Sequence, residues 1–83
     1  MEEKEIGTVT HYYNRAGVAV IKLADSIHIG DLVKFKKGSG DVEQAVVSLQ
    51  IDHQNIPSAQ RGAEVAMKVS EHVKPGTRIT RLA

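Results

Sequence analysis

The chain has 83 residues, of which 41% are apolar and 25% are charged, with a formal net charge of +1 and no cysteine. This composition is typical of one small globular domain and excludes disordered, fibrous and disulfide-framework proteins, as well as sites built on cysteine. The acidic amino terminus is followed by no apolar run of signal-peptide or membrane-span length, so we expect a cytoplasmic protein without a membrane segment. We expect residues 1–5 to form a mobile tail and residues 6–83 to form a single domain.

Blocks rich in Val, Ile, Thr and Tyr alternate with glycine-containing turns, and no window shows a helical stripe longer than two turns. The first predicted strand, residues 5–13, ends at a four-residue hairpin loop, residues 14–17, which leads into a second strand, Val18–Leu23. Both faces of this second strand are apolar, which predicts a central or covered position in the sheet.

Residues 32–37 alternate between apolar and polar, which predicts a half-buried strand with Val33 and Phe35 inside. A second hairpin then leads into a long predicted strand over residues 42–52. One face of that strand would be apolar, and its members would be Ala45, Val47, Leu49 and Ile51.

The alternation breaks at residues 53–62, where Ile56, Ala59 and Gly62 recur at a spacing of three. This spacing fits either a 3₁₀-like turn or an extended loop across an apolar rim. An open sheet in so small a chain would expose its edges, so we predict an all-β, closed or nearly closed antiparallel barrel of six strands. The irregular segment would then plug one end of the barrel with Ile56 and Ala59.

The period of two returns after the irregular segment, and the inward residues of this predicted strand are Val65, Met67 and Val69. A turn at Pro75 and Gly76 precedes a final strand around Ile79. Because Ile79 and Leu82 have opposite parity, we expect a bulge or the end of the strand between them.

This order of features resembles the second domain of the translational GTPases, the β-barrel of elongation factor Tu and initiation factor two. The segments that carry the resemblance are GTV at residues 7–9, IHIGDLVKF at 27–35, VVSLQI at 46–51 and HQNIPSAQRGAEVAMKV at 53–69. The chain has no phosphate loop and no Mg²⁺-binding aspartate of a GTPase, so it resembles the small translation elongation factor-like proteins, which have the barrel without the motor. A similar small barrel also ends the collagenase-like peptidase family, some of whose members act in RNA modification.

The resemblance implies a contact with RNA or the ribosome, because in elongation factor Tu this barrel helps to hold the acylated end of tRNA. The position that meets the terminal adenosine in that family corresponds to Gln50 here. The candidate RNA-binding residues offer rings for base stacking, charges for phosphates or, at the glutamine, a hydrogen bond. They are Tyr12, Tyr13, Arg15, Lys34, Lys36, Lys37, Gln50 and Arg61. Two other interpretations stay open: the tyrosines can form a cross-strand aromatic pair, and the lysines can form a solvated face or a protected strand edge.

Val18 and Val20 offer a second kind of surface, since adjacent valines on a barrel wall can bind another protein, although the amino-terminal segment could equally cover them. The histidines fall at none of the short spacings that preassemble metal ligands, and no nucleophile–base pair is evident. We therefore expect no metal, no cofactor and no enzyme activity. The predicted function is a non-catalytic binding module that contacts RNA or the ribosome in translation. The alternative is a protein-interaction module or an accessory subunit of a peptidase-like RNA-modifying enzyme.

Overall fold

The computed structural model describes residues 3–36 and 40–82, and ten β-strands make up the regular structure of these ranges. The strands are β1 (Glu3–Tyr13), β2 (Val18–Leu23), β3 (Ile27–His28), β4 (Leu32–Lys36), β5 (Val42–Ala45), β6 (Gln50–Ile51), β7 (Gln54–Asn55), β8 (Ser58–Ala59), β9 (Glu64–Lys68) and β10 (Arg78–Leu82). Those ranges contain no helix of the length and apolar character needed to cross a membrane.

Eight of the described strands form one antiparallel sheet in the order β5-β4-β10-β1-β2-β9-β6-β7, and β3 pairs with β8 in a separate two-stranded sheet. The all-β class is therefore confirmed. The predicted count of six strands was wrong, because β3, β7 and β8 form in segments predicted as loops and because the strand predicted over residues 42–52 divides in two. The closed barrel is not confirmed either, since β5 and β7 remain as the two ends of the described sheet.

The strand connections require this sheet to curl strongly. In a flat sheet β5 and β6 would lie six strand spacings apart, or about 29 Å. Residues 46–49 alone join the two strands, and a fully extended connection of that length spans at most ~18 Å. The two ends of the sheet must therefore approach each other around the core.

Apolar side chains from the central strands, from the two-stranded sheet and from the connecting segments form one core. The buried members are Ile6, Val9, Ala19, Ile21, Leu23, Ile27, Val33, Phe35, Val46, Leu49, Ala59, Val65, Met67, Val69, Val73 and Ile79. The predicted alternation of β4 is confirmed, since Val33 and Phe35 are fully buried while Lys36 is exposed. The predicted inward residues of β9, Val65 and Met67, are also fully buried.

The first hairpin forms as the sequence predicts. Gly17 adopts a φ of 64°, and its amide donates a hydrogen bond of 2.9 Å to the carbonyl of Tyr13. The loop over residues 14–17 leads directly into β2, which lies between β1 and β9 in the sheet. The central position expected for β2 is therefore confirmed.

The long strand predicted over residues 42–52 is wrong, because the chain divides into β5 and β6, which lie six positions apart in the strand order. Between them, the amide of Val46 donates to the carbonyl of Asp31 at 2.8 Å, and its carbonyl accepts from Gly30 at 2.9 Å. This crossing buries Val46 and Leu49 and leaves Val47 65% exposed. The expected apolar face with Val47 inward therefore does not form.

The irregular segment over residues 53–62 is extended, and two short strands, β7 and β8, replace the 3₁₀-like alternative. Ile56 packs against the core and Ala59 is buried within it, as expected for the plugging residues. Asp52 and His53 have φ values of 51° and 65°, the pattern of a type I′ turn between β6 and β7.

The pairing of strand β1 is irregular at one point with each of its two neighbours. Its register shifts between Glu5 and Gly7 opposite β10, and between Val9 and His11 opposite β2. The bulge expected within β10 thus lies on its partner strand. Residues 3–5 pair with residues 80–82 in this ladder, while the mobility of residues 1–5 and the single domain over residues 6–83 stay predictions.

Candidate protein-binding groove

The outward face of β2 carries the two valines that the sequence indicates as an interface. Ala19, Ile21 and Leu23 are buried on the inner face of this strand. Since side chains alternate between the two faces of a sheet, Val18 and Val20 lie on the outer face, where both are half-buried. The amino-terminal residues 3–5 do not cover them, because those residues pair with β10.

Cross-strand pairing surrounds Val20 with small and polar neighbours. Val20 lies opposite His11 of β1 and Ala66 of β9, and Ala66 in turn lies opposite Gln50 of β6. Paired residues share a face, so this row runs across the outside of four adjacent strands.

The next row across the sheet places Val18 between Tyr13 of β1 and Lys68 of β9. Tyr13 is 54% exposed, which is unusual for so large an apolar ring, and it forms one side of the surface. The turn between β6 and β7 forms the other side, with Ile51 and Asp52.

These side chains enclose an open groove of about 550 Å³, which we call the β2–β9 groove. Val18, Val20 and Ala66 form its apolar floor, and Asp52 and Glu64 lie along its lining. Its volume falls within the range of about 300–1,000 Å³ that is typical of ligand pockets, so the groove has room for several side chains of a partner.

The sequence-predicted RNA-binding residues lie on different parts of the molecule. Tyr12 points to the inner side, where it packs against the core and stacks on His72 with ring centroids 4.5 Å apart. Tyr13 points outward into the groove, and Arg15 lies exposed in the hairpin loop. Because Tyr12 lies opposite Ala19, the cross-strand aromatic pair considered for the tyrosines does not form.

The lysines of β4 are held in ion pairs at a distance from the tyrosines. The ammonium groups of Lys34 and Lys36 lie 4.0 and 3.6 Å from Asp41. Register places Lys36 opposite Arg78 and Arg78 opposite Thr8, and β1 runs five residues, or roughly 17 Å, from Thr8 to its end. The lysines and Tyr13 therefore lie far apart on the outside of the sheet.

The remaining RNA candidates are also separate. Gln50 lies in the groove, where its amide donates to the side-chain oxygen of Asn55 at 2.9 Å. Arg61 is exposed in the turn before β9. Lys37 lies outside the described residues. RNA binding by these residues stays a prediction. The described geometry does not bring them together into one site.

A different polar cluster, which the sequence did not indicate, joins β1, β10 and the loop after β2. The carboxylate of Asp25 accepts from the ammonium of Lys4 at 2.8 Å, from the amide of Ser26 at 2.8 Å and from the guanidinium of Arg81 at 3.3 Å. The bond from Lys4 and then the bond from Ser26 lower the pKa of Asp25 below its ordinary value of 3.8. These bonds hold together the start of β1, the end of β10 and the loop after β2. Within residues 3–36 and 40–82, no three His, Asp or Glu side chains gather to hold a metal ion.

Comparison with known proteins identifies a relative among the proteases. The chain is 37% identical over 76 residues, or 90% of its length, to a protein of Methanocaldococcus jannaschii named an uncharacterized protease. The matched region is 19% of that protein, so the chain spans about a fifth of the relative's length. No family model matches the chain.

Solved structures show where the same fold occurs. The C-terminal domain of a Geobacillus thermoleovorans protein described as a U32 peptidase superposes with a TM-score of 0.89, covering 96% of this chain and 93% of that domain at 18% identity. The chain therefore has the fold of a U32 peptidase C-terminal domain. The selenomethionine variant of the same domain gives a TM-score of 0.86 at 20% identity, covering 92% of this chain and 96% of that one.

These findings overturn the resemblance to the second domain of elongation factor Tu and initiation factor two. The expected roles in translation and at the ribosome were wrong for the same reason. The segments that carried the resemblance are mainly turn and strand signals: Gly30 and Gly62 have φ values of 95° and 93°, and Gly7 packs tightly against β2. Such features specify a small curled sheet and do not specify its function.

Proposed function

We propose that this chain is a non-catalytic accessory module that binds the catalytic part of a peptidase-like protein through the β2–β9 groove. The observation that carries the proposal is the groove's apolar floor on the outer face of a central strand, with Tyr13 54% exposed beside it. A contiguous apolar surface bordered by polar residues is a feature of protein-interaction sites.

The comparisons support a peptidase-like partner. The Methanocaldococcus relative is named a protease, and the chain matches only 19% of it. The similar solved structure is one domain of a protein described as a U32 peptidase. A module of this size would therefore act beside a larger part that supplies the chemistry, either in the same polypeptide or as a separate chain.

The lining of the groove supports binding better than catalysis. It contains no serine, threonine or cysteine, and three of its apolar members, Val20, Val65 and Ala66, lie inside strands that are fixed in the sheet. Nucleophilic catalysis by serine, threonine or cysteine requires that residue beside a base, and the groove lining contains none of the three. Rigid strands and an apolar floor instead suit the docking of a preformed surface or segment.

The experiment measures binding between the purified chain and the separately expressed catalytic region of a U32 peptidase-like protein from the same cell, by isothermal titration calorimetry. Val20→Asp places a charge on the groove floor. This charge should weaken binding and raise the dissociation constant at least about tenfold. The matched control is Val47→Asp, because Val47 is 65% exposed and does not line the groove. We expect the control to bind as the parent does.

Two results would contradict the proposal. One is equal binding by Val20→Asp and the parent, which would place the interface elsewhere. The other is the lack of any binding at about 100 μM of both proteins. Circular dichroism of each variant checks that the fold is retained before either result is interpreted.

A further inference from the structure

One end of the β2–β9 groove is acidic. Glu64 lies opposite Lys22, one row beyond the pair formed by Val20 and Ala66. Asp52 and the neighbouring His53, from the turn between β6 and β7, line the same groove. Both acidic residues are exposed.

No ion pair of Asp52 or Glu64 occurs among the residues of the described ranges. Lys22, the basic residue nearest in register, donates its ammonium hydrogen to the carbonyl of Gly62 at 3.0 Å. By contrast, the carboxylate of Asp25 is held by two cations. The acidic end of the groove is therefore open to a cation from outside.

The spacing between the apolar and the acidic parts matches an extended chain. The rows of Val20 and Glu64 are two residues apart along β2, or about 7 Å. Side chains at positions i and i+2 of an extended segment point to the same side and have the same separation. A segment lying along the groove would thus place one side chain over Val20 and the second beside Glu64.

We infer that the groove binds an extended segment of the partner in which a large apolar residue and a Lys or Arg are two positions apart. The inference rests on the proposed function, because it names the part of the partner that the groove would hold. The apolar residue packs on the floor formed by Val18, Val20 and Ala66, and the cation lies between Asp52 and Glu64. Charge complementarity of this kind selects among partners and orients the one that binds.

The test titrates the isotopically labelled full chain with three short synthetic peptides and follows the backbone amide signals by nuclear magnetic resonance. The peptides contain Leu-Ser-Lys, Leu-Ser-Glu or Ala-Ser-Lys between identical polar flanks. We expect the Leu-Ser-Lys peptide to shift the amides of Val20, Glu64 and Ala66, and to bind at least about tenfold more tightly than either of the others. Its affinity should fall as salt is added, because exposed charges are screened.

Charge variants test the assignment of the acidic end. The double variant Asp52→Asn and Glu64→Gln should bind the Lys and Glu peptides equally. Glu71→Gln, which removes an exposed carboxylate that does not line the groove, should keep the preference for Lys. The spectrum of each free variant shows whether it is folded.

The inference fails if the Lys and Glu peptides bind equally to the parent, if none binds, or if the shifted amides lie outside the groove. It also fails if the groove amides shift with protein concentration alone, since a second copy of the chain would then be the occupant. The proposed function is judged separately: if Val20→Asp abolishes binding of the catalytic region but the charge variants leave its affinity and salt dependence unchanged, only the inference falls. If the peptides behave as expected but the catalytic region does not bind, only the proposed partner falls.

Discussion

The side chain of Gln44 binds the backbone of Ser70 as a neighbouring strand would. Its amide nitrogen donates to the carbonyl of Lys68 at 3.0 Å, and its oxygen accepts from the amide of Ser70 at 2.9 Å. Gln44 belongs to β5, at one end of the sheet, whereas Lys68 ends β9, near the other end. One carboxamide thus joins β5 to the end of β9 across the curled sheet, where no backbone ladder does so among the described strands.

Replacing this link should destabilise the protein. We expect Gln44→Ala to lower the free energy of unfolding by about 1–2 kcal/mol, since two hydrogen bonds to the backbone are lost at an exposed site. Urea denaturation at neutral pH measures the change, and hydrogen exchange of the Ser70 amide should become faster. Gln54→Ala, at an exposed glutamine of the short edge strand β7, is the control and should change stability by less than about 0.5 kcal/mol. Equal effects of the two substitutions would show that Gln44 does not join the sheet ends.

Gly7 is required by the close approach of β1 and β2. A Cβ atom built on Gly7 would lie 2.7 Å from the carbonyl oxygen of Lys22 and 2.9 Å from a methyl carbon of Ile21. We expect Gly7→Ala to cost about 1–3 kcal/mol, because the backbone of the central hairpin must shift to relieve these contacts. Thermal unfolding provides the measurement. Ala24→Ser, which also adds one heavy atom but at an exposed position after β2, should be nearly neutral. A change below about 0.5 kcal/mol for Gly7→Ala would contradict the tight packing.

The Asp25 cluster should make stability depend on pH in the acidic range. The folded state lowers the pKa of Asp25 below its ordinary value of 3.8, through the bonds from Lys4 and Ser26 and a smaller effect of Arg81. For such a group the stabilisation is present above the unfolded pKa and is lost as the pH falls through the folded pKa. Asp25→Asn should therefore be less stable than the parent at pH 7, and the difference should shrink as the pH is lowered below 4.

Denaturant unfolding of both proteins between pH 7 and pH 2 tests this dependence. Glu71→Gln is the control, because the exposed Glu71 makes no ion pair with the described residues, and its difference from the parent should stay constant with pH. A pH-independent difference for Asp25→Asn would mean that the lost interaction does not depend on the charge of the carboxylate.

The turn between β6 and β7 contains backbone strain that a glycine would relieve. His53 has a φ of 65°, a conformation that costs an ordinary residue about 1–2 kcal/mol, and the second position of a type I′ turn prefers glycine. We expect His53→Gly to stabilise the protein by about 0.5–1 kcal/mol after the greater flexibility of glycine in the unfolded chain is subtracted. Gly62→Ala, at a φ of 93°, should change the melting temperature in the opposite direction. Destabilisation by His53→Gly would show that the imidazole makes a stabilising contact.

Much of the strand structure could be predicted from local features. The alternation around Val33 and Phe35, the hairpin that ends at Gly17 and the apolar faces of β2 each depend on a few neighbouring residues. The predicted strand over residues 42–52 was wrong because its second half pairs with β9, which is distant in sequence, and not with the neighbours of β5. Alternation then no longer decides the burial of Val46 and Val47.

The candidate site could be predicted only in part, because local alternation indicates some of its residues while others come from a segment distant in sequence. Val18 and Val20 could be recognised as an outward apolar pair, and the parity of Glu64 with the buried Val65 indicates that Glu64 also points outward. The contribution of Asp52 was missed, since its place depends on a type I′ turn formed by two residues that are not glycine. No spacing in the sequence indicated that this turn stands beside β2.

The sequence by itself determined the all-β class, the positions of the main hairpin and the faces of β2, β4 and β9, because turn chemistry and side-chain alternation act over a few residues. Only the tertiary structure decided that the sheet curls until Gln44 reaches Ser70, and that Val20, Glu64 and Asp52 border one groove. These relationships join segments far apart in the chain. They arise when the whole sheet wraps around a shared core, which is a property of long-range pairing and packing.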